Sequence, residues 1–222
     1  MNEKPIIFSG EMVRAIQDER KTQTRRVVVP QPDTKGLGWA WGYADRRKIP
    51  NGPRGAAGGD VAYMSDSLSR YCPYGQPGDH LWVRETFGIL QPTHADSIGQ
   101  SIDPFPVFRA NGDEAPAWDE GPFEFSGWKP SIHMPRWASR ITLEVISVRV
   151  ERVQDISEED AEAEGCETER IPYLHNGQIV QMDIRSPRAV FSVLWDSINA
   201  KRGYSWDSNP WVWVVEFARS NS

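Results

Sequence analysis

The chain has 222 residues, of which 39% are hydrophobic and 11% aromatic, and its formal net charge is −6. This composition argues against an intrinsically disordered chain. It also leaves no overall basic field, so any contact with nucleic acid must be made by a local patch. The length favours one domain, residues 1–222, over two small ones.

Cysteine and histidine spacing argues against a metal site. The two cysteines are far apart in the chain, and the four histidines have no metal-ligand spacing. No signal peptide opens the sequence, and no apolar run approaches the roughly 20 residues of a membrane span. We therefore expect a reduced, cytoplasmic protein that does not contact a membrane and needs no metal or cofactor. The sequence does not indicate an oligomeric state.

The first elements are a short strand at residues 6–8 and a helix over about residues 10–20, with Ser9 as its N-cap. A basic cluster follows at residues 20–26, before a second strand that starts at Val27. This cluster combines four cations with two threonine hydroxyls. It can hold an anion, activate a hydroxyl or remain solvated.

Two long segments rich in glycine, proline and aromatic residues, about residues 33–76 and 88–127, are predicted insertions. Between them, residues 80–87 alternate as a strand whose end carries Arg84 and Glu85. This charged pair suits either a pocket wall or a rim of surface charge. A short strand is predicted at residues 107–110, inside the second insertion.

Residues 128–140 interleave tryptophans with cations. The cations of this segment are Lys129, Arg136 and Arg140, and its second tryptophan is Trp137. Such a segment can stack on bases beside phosphates, or it can be a loop pinned to the core by its tryptophans. Both interpretations remain open.

Most of the predicted core lies in the C-terminal half of the sequence. Residues 141–153 form the longest strand signal, with a bulge near Val145 and Ile146 where the apolar phase changes. A short helix begins after Ser157 and ends at Gly165, and residues 166–185 are predicted as a loop.

A longer helix then starts at Ser186 and Pro187, and residues 211–217 form a strand buried on both faces. The buried stripe of this helix is predicted to be Val190, Phe191, Leu194, Trp195 and Ile198. The order of elements predicts an α+β, mainly β fold, which is a small, partly closed β-barrel with flanking helices and large loop insertions.

Several of these motifs together resemble the ASCH domain, a relative of the PUA RNA-binding domain. They are the segment at residues 20–26, Gly78-Asp79 before a strand that ends in Val83-Arg84-Glu85, the helix at 160–165 and a terminal strand that ends in Glu216-Phe217. Residues 128–140 and 206–213 resemble the larger ASCH form encoded in phages and prophages. The resemblance implies a PUA-like barrel with a cleft for RNA, single-stranded nucleic acid or a modified nucleoside.

Small ASCH enzymes hydrolyse the acetyl amide of N4-acetylcytidine with a lysine, a threonine and a glutamate. By this resemblance, the three residues are Lys21, Thr24 and Glu164. Thr24 would supply the nucleophilic hydroxyl, and Lys21 would accept its proton while Glu164 protonates the leaving nitrogen. If Lys21 stays charged, it stabilises the oxyanion and Glu164 is the base. Arg25 departs from the aliphatic residue that is usual in those enzymes.

The same residues also suit binding without catalysis, because arginine and lysine hold phosphates and a carboxylate accepts from the cytosine N4 amine. Other ASCH proteins are single-strand ribonucleases, and a protein-interaction role is a third alternative. The candidate substrate- and nucleic-acid-binding residues are Arg20, Arg25, Arg26, Arg84, Glu85, Lys129, Arg136, Trp137 and Arg140.

Overall fold

The computed structural model describes residues 2–31, 71–92, 103–112, 123–175 and 178–220. Within them the fold is mixed α/β, with more strand than helix. Most of the predicted insertion at 33–76 lies outside the described residues. The strands are β1 (Glu3–Ile7), β2 (Gln23–Val27), β3 (His80–Arg84), β4 (Phe87–Pro92), β5 (Phe105–Phe108), β6 (Phe123–Phe125), β7 (Thr142–Arg152), β8 (Glu169–His175), β9 (Gln178–Arg185) and β10 (Trp211–Arg219).

Three α-helices lie in the described part of the chain, and each begins after a serine that caps it. They are α1 (Gly10–Gln17), α2 (Glu158–Ala163) and α3 (Pro187–Asn199). The hydroxyls of Ser9, Ser157 and Ser186 each accept a hydrogen bond from a backbone N–H in the first turn, as an N-cap does. The three predicted helix starts are therefore confirmed. No helix in the described ranges is long and apolar enough to cross a membrane.

Among the described strands, β10 lies between β7 and β2. β10 occupies an inner position, and its residues 211–215 are all buried, so the predicted central strand is confirmed. The described strands form open sheets, and no closed barrel is found among them. The chain separates into two compact units, with residues 1–19, 78–144 and 218–222 in the first and residues 20–77 and 145–217 in the second.

In the first unit, β1 pairs in parallel with β3, and β3 pairs antiparallel with the start of β7. β4 lies between β5 and β6 in a separate antiparallel sheet. A hydrophobic core cluster of this unit includes Phe87, Ile89, Met134 and Ala138. Part of the segment predicted as an irregular insertion at 88–127 is therefore regular strand.

In the second unit, β2 pairs antiparallel with β10, and α2 and α3 pack against a shared core. This core comprises Val153, Ile156, Ala161, Cys166, Phe191, Trp195, Val212 and Val214. Ile198 does not join it, because 45% of that side chain is exposed. Including Ile198 in the buried stripe of the helix was wrong.

The predicted loop at 166–185 is also wrong, because β8 and β9 form an antiparallel hairpin. The dipeptide Asn176-Gly177, which separates the two strands in the sequence, is a strong hairpin signal that the loop prediction did not use. The strand predicted at 80–87 ends at Arg84 and is followed by β4 from Phe87. In β7, burial changes phase between Val145 and Val148, but Ile146 itself is 51% exposed.

Candidate functional site

The buried pair of Lys21 and Glu164 lies at the centre of the candidate site, in the second unit. The Lys21 ammonium is 2.7 Å from Glu164 Oε2, and both side chains are almost fully buried. Lys21 Nζ also donates to the backbone carbonyls of Gln23, at 2.8 Å, and Glu164, at 2.7 Å. The three N–H donors of the ammonium thus have three acceptors.

Backbone pairing brings the two residues together. Lys21 and Glu164 form an antiparallel bridge, and Thr22 N–H donates to Ala163 O at 2.8 Å. Glu164 caps the C-terminus of α2, and Gly165, with φ 89°, turns the chain in the left-handed conformation that favours glycine. The start of β2 is therefore joined directly to the end of α2.

Burial dominates the electrostatics around this pair. Loss of hydration lowers the pKa of Lys21, while the charge of Glu164 acts in the opposite direction. Burial, together with the nearby Glu164 carboxylate, raises the pKa of the Cys166 thiol to about 11. A lysine and a carboxylate are therefore held together where little water reaches them.

A second group of charges, here called the arginine–carboxylate cluster, adjoins the pair. Its members are Gln23, Arg25, Arg149, Glu151, Asp160 and Glu216. Arg25 Nη2 donates to Asp160 at 2.8 Å and to Glu151 at 3.2 Å, and the Arg25 side chain is fully buried. Arg149 bonds Glu151, Asp160 and Glu216, whose side chains are partly exposed.

Asp160 joins the two arginines of this cluster. Its N–H makes the first-turn cap with Ser157, while its carboxylate accepts from Arg25, Arg149 and Gln23. Burial would raise the pKa of Asp160, but the charges and hydrogen bonds of Arg25 and Arg149 outweigh it and lower the pKa. Only the Ser157 half of a capping box is formed, because the Asp160 carboxylate bonds to the cluster instead.

Several buried polar atoms at the junction have no hydrogen-bond partner within the described residues. They include Glu164 Oε1 and Arg25 Nη1 and Nε. Glu164 Oε1 lies 3.6 Å from Arg25 Nη1, which is an ionic contact but too long for a hydrogen bond. Unsatisfied buried donors and acceptors are costly, so the junction is suited to a ligand that supplies the missing partners.

Thr24 and Arg26 occupy alternate positions on β2. Gln23 and Arg25 both reach Asp160, so strand alternation directs Thr24 and Arg26 to the other face. Thr24 is buried, and it pairs with Val215 of β10. Burial lowers the pKa of Arg26, whose guanidinium lies 6.0 Å from the Tyr74 ring. Arg20 is more exposed and pairs with Glu167 at 3.1 Å.

The other candidate binding residues belong to the first unit. Arg140 forms a two-bond ion pair with the buried Glu85, both bonds 2.9 Å long, and its guanidinium lies 3.9 Å from the Phe108 ring centre. Arg136 pairs with Glu3 at the surface, and Trp137 is 63% exposed. Lys129 pairs its backbone with Phe87 in β4. Arg84 lies over Trp82.

The sequence did not predict most of the arginine–carboxylate cluster. A weak signal was present, since Arg149 and Glu151 interrupt an otherwise apolar strand on one face, and Asp160 stands where a capping box normally has Glu or Gln. No group of three or more His, Cys, Asp or Glu residues in the described segments could hold a metal ion.

Comparisons with protein-family models, curated proteins and solved structures found no match to this chain.

Proposed function

We propose that this protein is an ASCH-type hydrolase with a PUA-like fold that binds a modified cytidine and cleaves its N4-acyl amide. The observation that carries the proposal is the buried Lys21–Glu164 contact of 2.7 Å. A lysine and a carboxylate in a water-poor site can move a proton and stabilise a developing negative charge, which are two requirements of amide hydrolysis.

The unsatisfied atoms of the junction support the choice of substrate. Glu164 Oε1 can accept one hydrogen bond, and Arg25 Nη1, 3.6 Å away, can donate one. A ligand edge with adjacent hydrogen-bond donor and acceptor atoms complements Glu164 Oε1 and Arg25 Nη1. The N4–H and N3 of cytosine form such an edge, and a carboxylate is a usual partner of the cytosine N4 group.

The hydrogen bonds of Lys21 favour one of the two proton assignments. All three N–H groups of a charged Lys21 have acceptors, whereas Glu164 retains an oxygen without a partner in the described residues. We therefore assign the base to Glu164 and the positive charge to Lys21.

The proposed reaction has two halves. Thr24 Oγ attacks the acyl carbon while its proton passes to Glu164, and the positive charge of Lys21 stabilises the oxyanion. The C–N4 bond then breaks as Glu164 returns the proton to N4, which releases cytidine and leaves an acyl ester on Thr24. Water, deprotonated by Glu164, cleaves this ester, so a carboxylic acid leaves and Thr24 is restored.

The direct test is incubation of the purified protein with N4-acetylcytidine, with cytidine and acetate measured as products. Wild-type protein should release both in equal amounts, and Lys21→Ala and Glu164→Ala should not, while circular dichroism shows an intact fold. Arg185→Ala is a matched control, because Arg185 is an exposed arginine whose ion pair is with Glu169.

Two results would contradict this proposal. Activity that survives Lys21→Ala would reject the assignment of roles. Wild-type protein that is inert on acylated cytidines, yet binds or cuts RNA in the same preparation, would favour the binding or ribonuclease alternative.

A further inference from the structure

Asp160 and Glu164 lie one turn apart on α2, and Arg25 contacts both of them. Asp160 is in the first turn, and Glu164 is the C-cap residue, whose backbone still has helical angles. Residues four apart on a helix project from the same face, so the two carboxylates can reach one arginine. Arg25 Nη2 donates to Asp160 Oδ2 at 2.8 Å, while Arg25 Nη1 lies 3.6 Å from Glu164 Oε1. One guanidinium group therefore joins Asp160 to the proposed base.

The two ends of this guanidinium group are held differently. Nη2 has two acceptors, Asp160 of α2 and, at 3.2 Å, Glu151 of β7. Nη1 and Nε have no hydrogen-bond partner within the described residues, although the Arg25 side chain is fully buried. A movement of less than about 1 Å would bring Nη1 within hydrogen-bond distance of Glu164 Oε1. The bonds to Nη2 therefore hold Nη1 just outside that distance.

Asp160 is itself fixed on several sides, so it can act as an anchor. Its backbone N–H donates to the Ser157 hydroxyl at 3.0 Å in the first turn of α2. Its carboxylate also accepts hydrogen bonds from Gln23 and Arg149, each at 3.2 Å. Burial opposes the charge of Asp160, but the charges and hydrogen bonds of Arg25 and Arg149 outweigh burial and lower its pKa. The anchor therefore stays negatively charged at neutral pH.

The position of Arg25 decides whether Glu164 can accept a proton. Oε2 of Glu164 already accepts from the Lys21 ammonium at 2.7 Å. Oε1 has no hydrogen-bond partner among the residues that the structure describes, so it is the oxygen that a nucleophile or a substrate can reach. If Arg25 Nη1 also bonded Oε1, both oxygens would accept from cations, and hydrogen bonds of this kind make a carboxylate a weaker base. The separation of 3.6 Å is thus one that the proposed reaction needs.

We infer that Asp160 is a positioning residue: by anchoring Arg25, it holds that guanidinium group away from Glu164 Oε1 and keeps this oxygen able to accept the proton of the nucleophile. Glu151 assists as the second acceptor of Nη2. The catalytic part of this inference rests on the proposed hydrolysis, whereas the position of Arg25 can be measured without it. Because Asp160 acts through Arg25, turnover should no longer depend on Asp160 once Arg25 is removed.

The kinetic test is a double-mutant cycle of Asp160 and Arg25, with kcat for N4-acetylcytidine measured at saturating substrate. Asp160→Asn leaves one neutral oxygen for three donors, so Arg25 should move to Glu164 and kcat should fall about tenfold or more, as expected for a weakened general base. Arg25→Leu in the Asp160→Asn background should raise kcat to the level of Arg25→Leu alone. A purely structural role predicts the opposite, because a second loss of ion pairs would lower kcat further.

Asp207→Asn is the matched control, because it makes the same change at an exposed position, and it should leave kcat unchanged. Glu151→Gln weakens the longer of the two bonds to Arg25 Nη2, so it should lower kcat in the same direction by less than Asp160→Asn does. Circular dichroism checks the fold of each variant. Should Asp160→Asn fail to fold, Glu151→Gln and its combination with Arg25→Leu provide the same test.

Crystal structures separate this inference from the proposed function. The distance from Arg25 Nη1 to Glu164 Oε1 should fall from 3.6 Å in wild-type protein to about 2.9 Å in Asp160→Asn. Wild-type protein that does not hydrolyse acylated cytidines would reject the proposed function, and this distance would then decide alone whether Asp160 positions Arg25.

Three results would overturn the inference. The first is an unchanged distance from Arg25 to Glu164 in Asp160→Asn and Glu151→Gln. The second is a wild-type kcat in Asp160→Asn. The third is a kcat of the double variant Asp160→Asn/Arg25→Leu below that of Asp160→Asn, because Asp160 would then act independently of Arg25.

Discussion

The ammonium of Lys21 lies 2.7 Å from the carboxylate of Glu164, which follows it in the chain by 143 residues. Both side chains are buried, so each depends on the other for neutralisation. Their contact joins the start of β2 to the end of α2, and the ionic contact with Arg25 extends it to the arginine–carboxylate cluster. One buried pair thus links the start of β2, the end of α2 and the arginine–carboxylate cluster.

Removing one charge of the Lys21–Glu164 pair should destabilise the protein more when its partner is present than when the partner has already been removed. Lys21→Met leaves an unpaired buried carboxylate, and such losses typically cost about 3–5 kcal/mol. The double variant Lys21→Met/Glu164→Gln removes both charges, so its free energy of unfolding should fall by less than the sum of the two single changes. Urea unfolding of the four proteins measures this coupling. Additive losses would contradict a direct ion pair.

The elements that carry strong local signals were predicted from the sequence better than β2 was. Serine caps, proline at the start of α3 and the apolar run of β10 are local signals, and the structure confirms the elements that they predict. β2 carries Gln23, Arg25 and Arg26 and lacks a clear apolar alternation. Its strand character depends on partners more than 120 residues away in sequence, namely Asp160 and Glu151, which no local pattern reveals.

The Lys21 and Glu164 pairing was expected from a motif resemblance, whereas the arginine–carboxylate cluster was not. Arg149 and Glu151 read as polar positions of an amphipathic strand, and sequence alone does not distinguish a solvated charge from one paired across strands. Arg25 shows the same difficulty. The basic cluster at residues 20–26 suggests solvent-exposed side chains, yet the Arg25 side chain is fully buried.

Acid should weaken the protein through Asp160. The pKa of this carboxyl is lower in the native protein than in the unfolded chain, where aspartate titrates near about 3.9. Its contribution to the free energy of unfolding is therefore complete above about pH 4 and is lost as the pH falls through the lowered native pKa. Asp160→Asn should be less stable than wild type at pH 7, and the difference should shrink toward pH 3. Asp207→Asn, at an exposed position, should follow the wild-type curve.

Alkali should weaken the protein through Cys166. The native pKa of this thiol is about 11, whereas an unfolded cysteine titrates near about 8.5. Between these values the unfolded chain releases a proton that the native protein retains, so the free energy of unfolding falls as the pH rises. Cys166→Ala should show a smaller decrease than wild type between about pH 8.5 and 11. Parallel curves for the two proteins would mean that the thiol does not titrate with unfolding.

Arg25 should govern substrate affinity. Its unsatisfied Nη1 lies beside Glu164, and a hydrogen bond from a charged donor to a ligand is worth about 1.5–3 kcal/mol. Arg25→Leu should therefore raise the KM for N4-acetylcytidine at least tenfold. Because the substitution also removes ion pairs to Asp160 and Glu151, unfolding must be measured in parallel. The comparison variant Arg149→Leu perturbs the same carboxylates without touching Glu164, and it should affect KM much less.

Thr24 should carry the acyl group between the two halves of the reaction. It is buried on β2, three residues after Lys21, although alternation places it on the face opposite Arg25. Thr24→Ser keeps a hydroxyl at the same backbone position and should retain measurable hydrolysis, whereas Thr24→Val keeps the shape without the hydroxyl and should lose it. Rapid acid quenching of wild-type protein with substrate, followed by peptide mass spectrometry, should locate an acetyl group on Thr24. Hydrolysis by Thr24→Val at the wild-type rate would show that water, activated by Glu164, attacks the amide directly, and the Lys21–Glu164 pair would then act without a covalent intermediate.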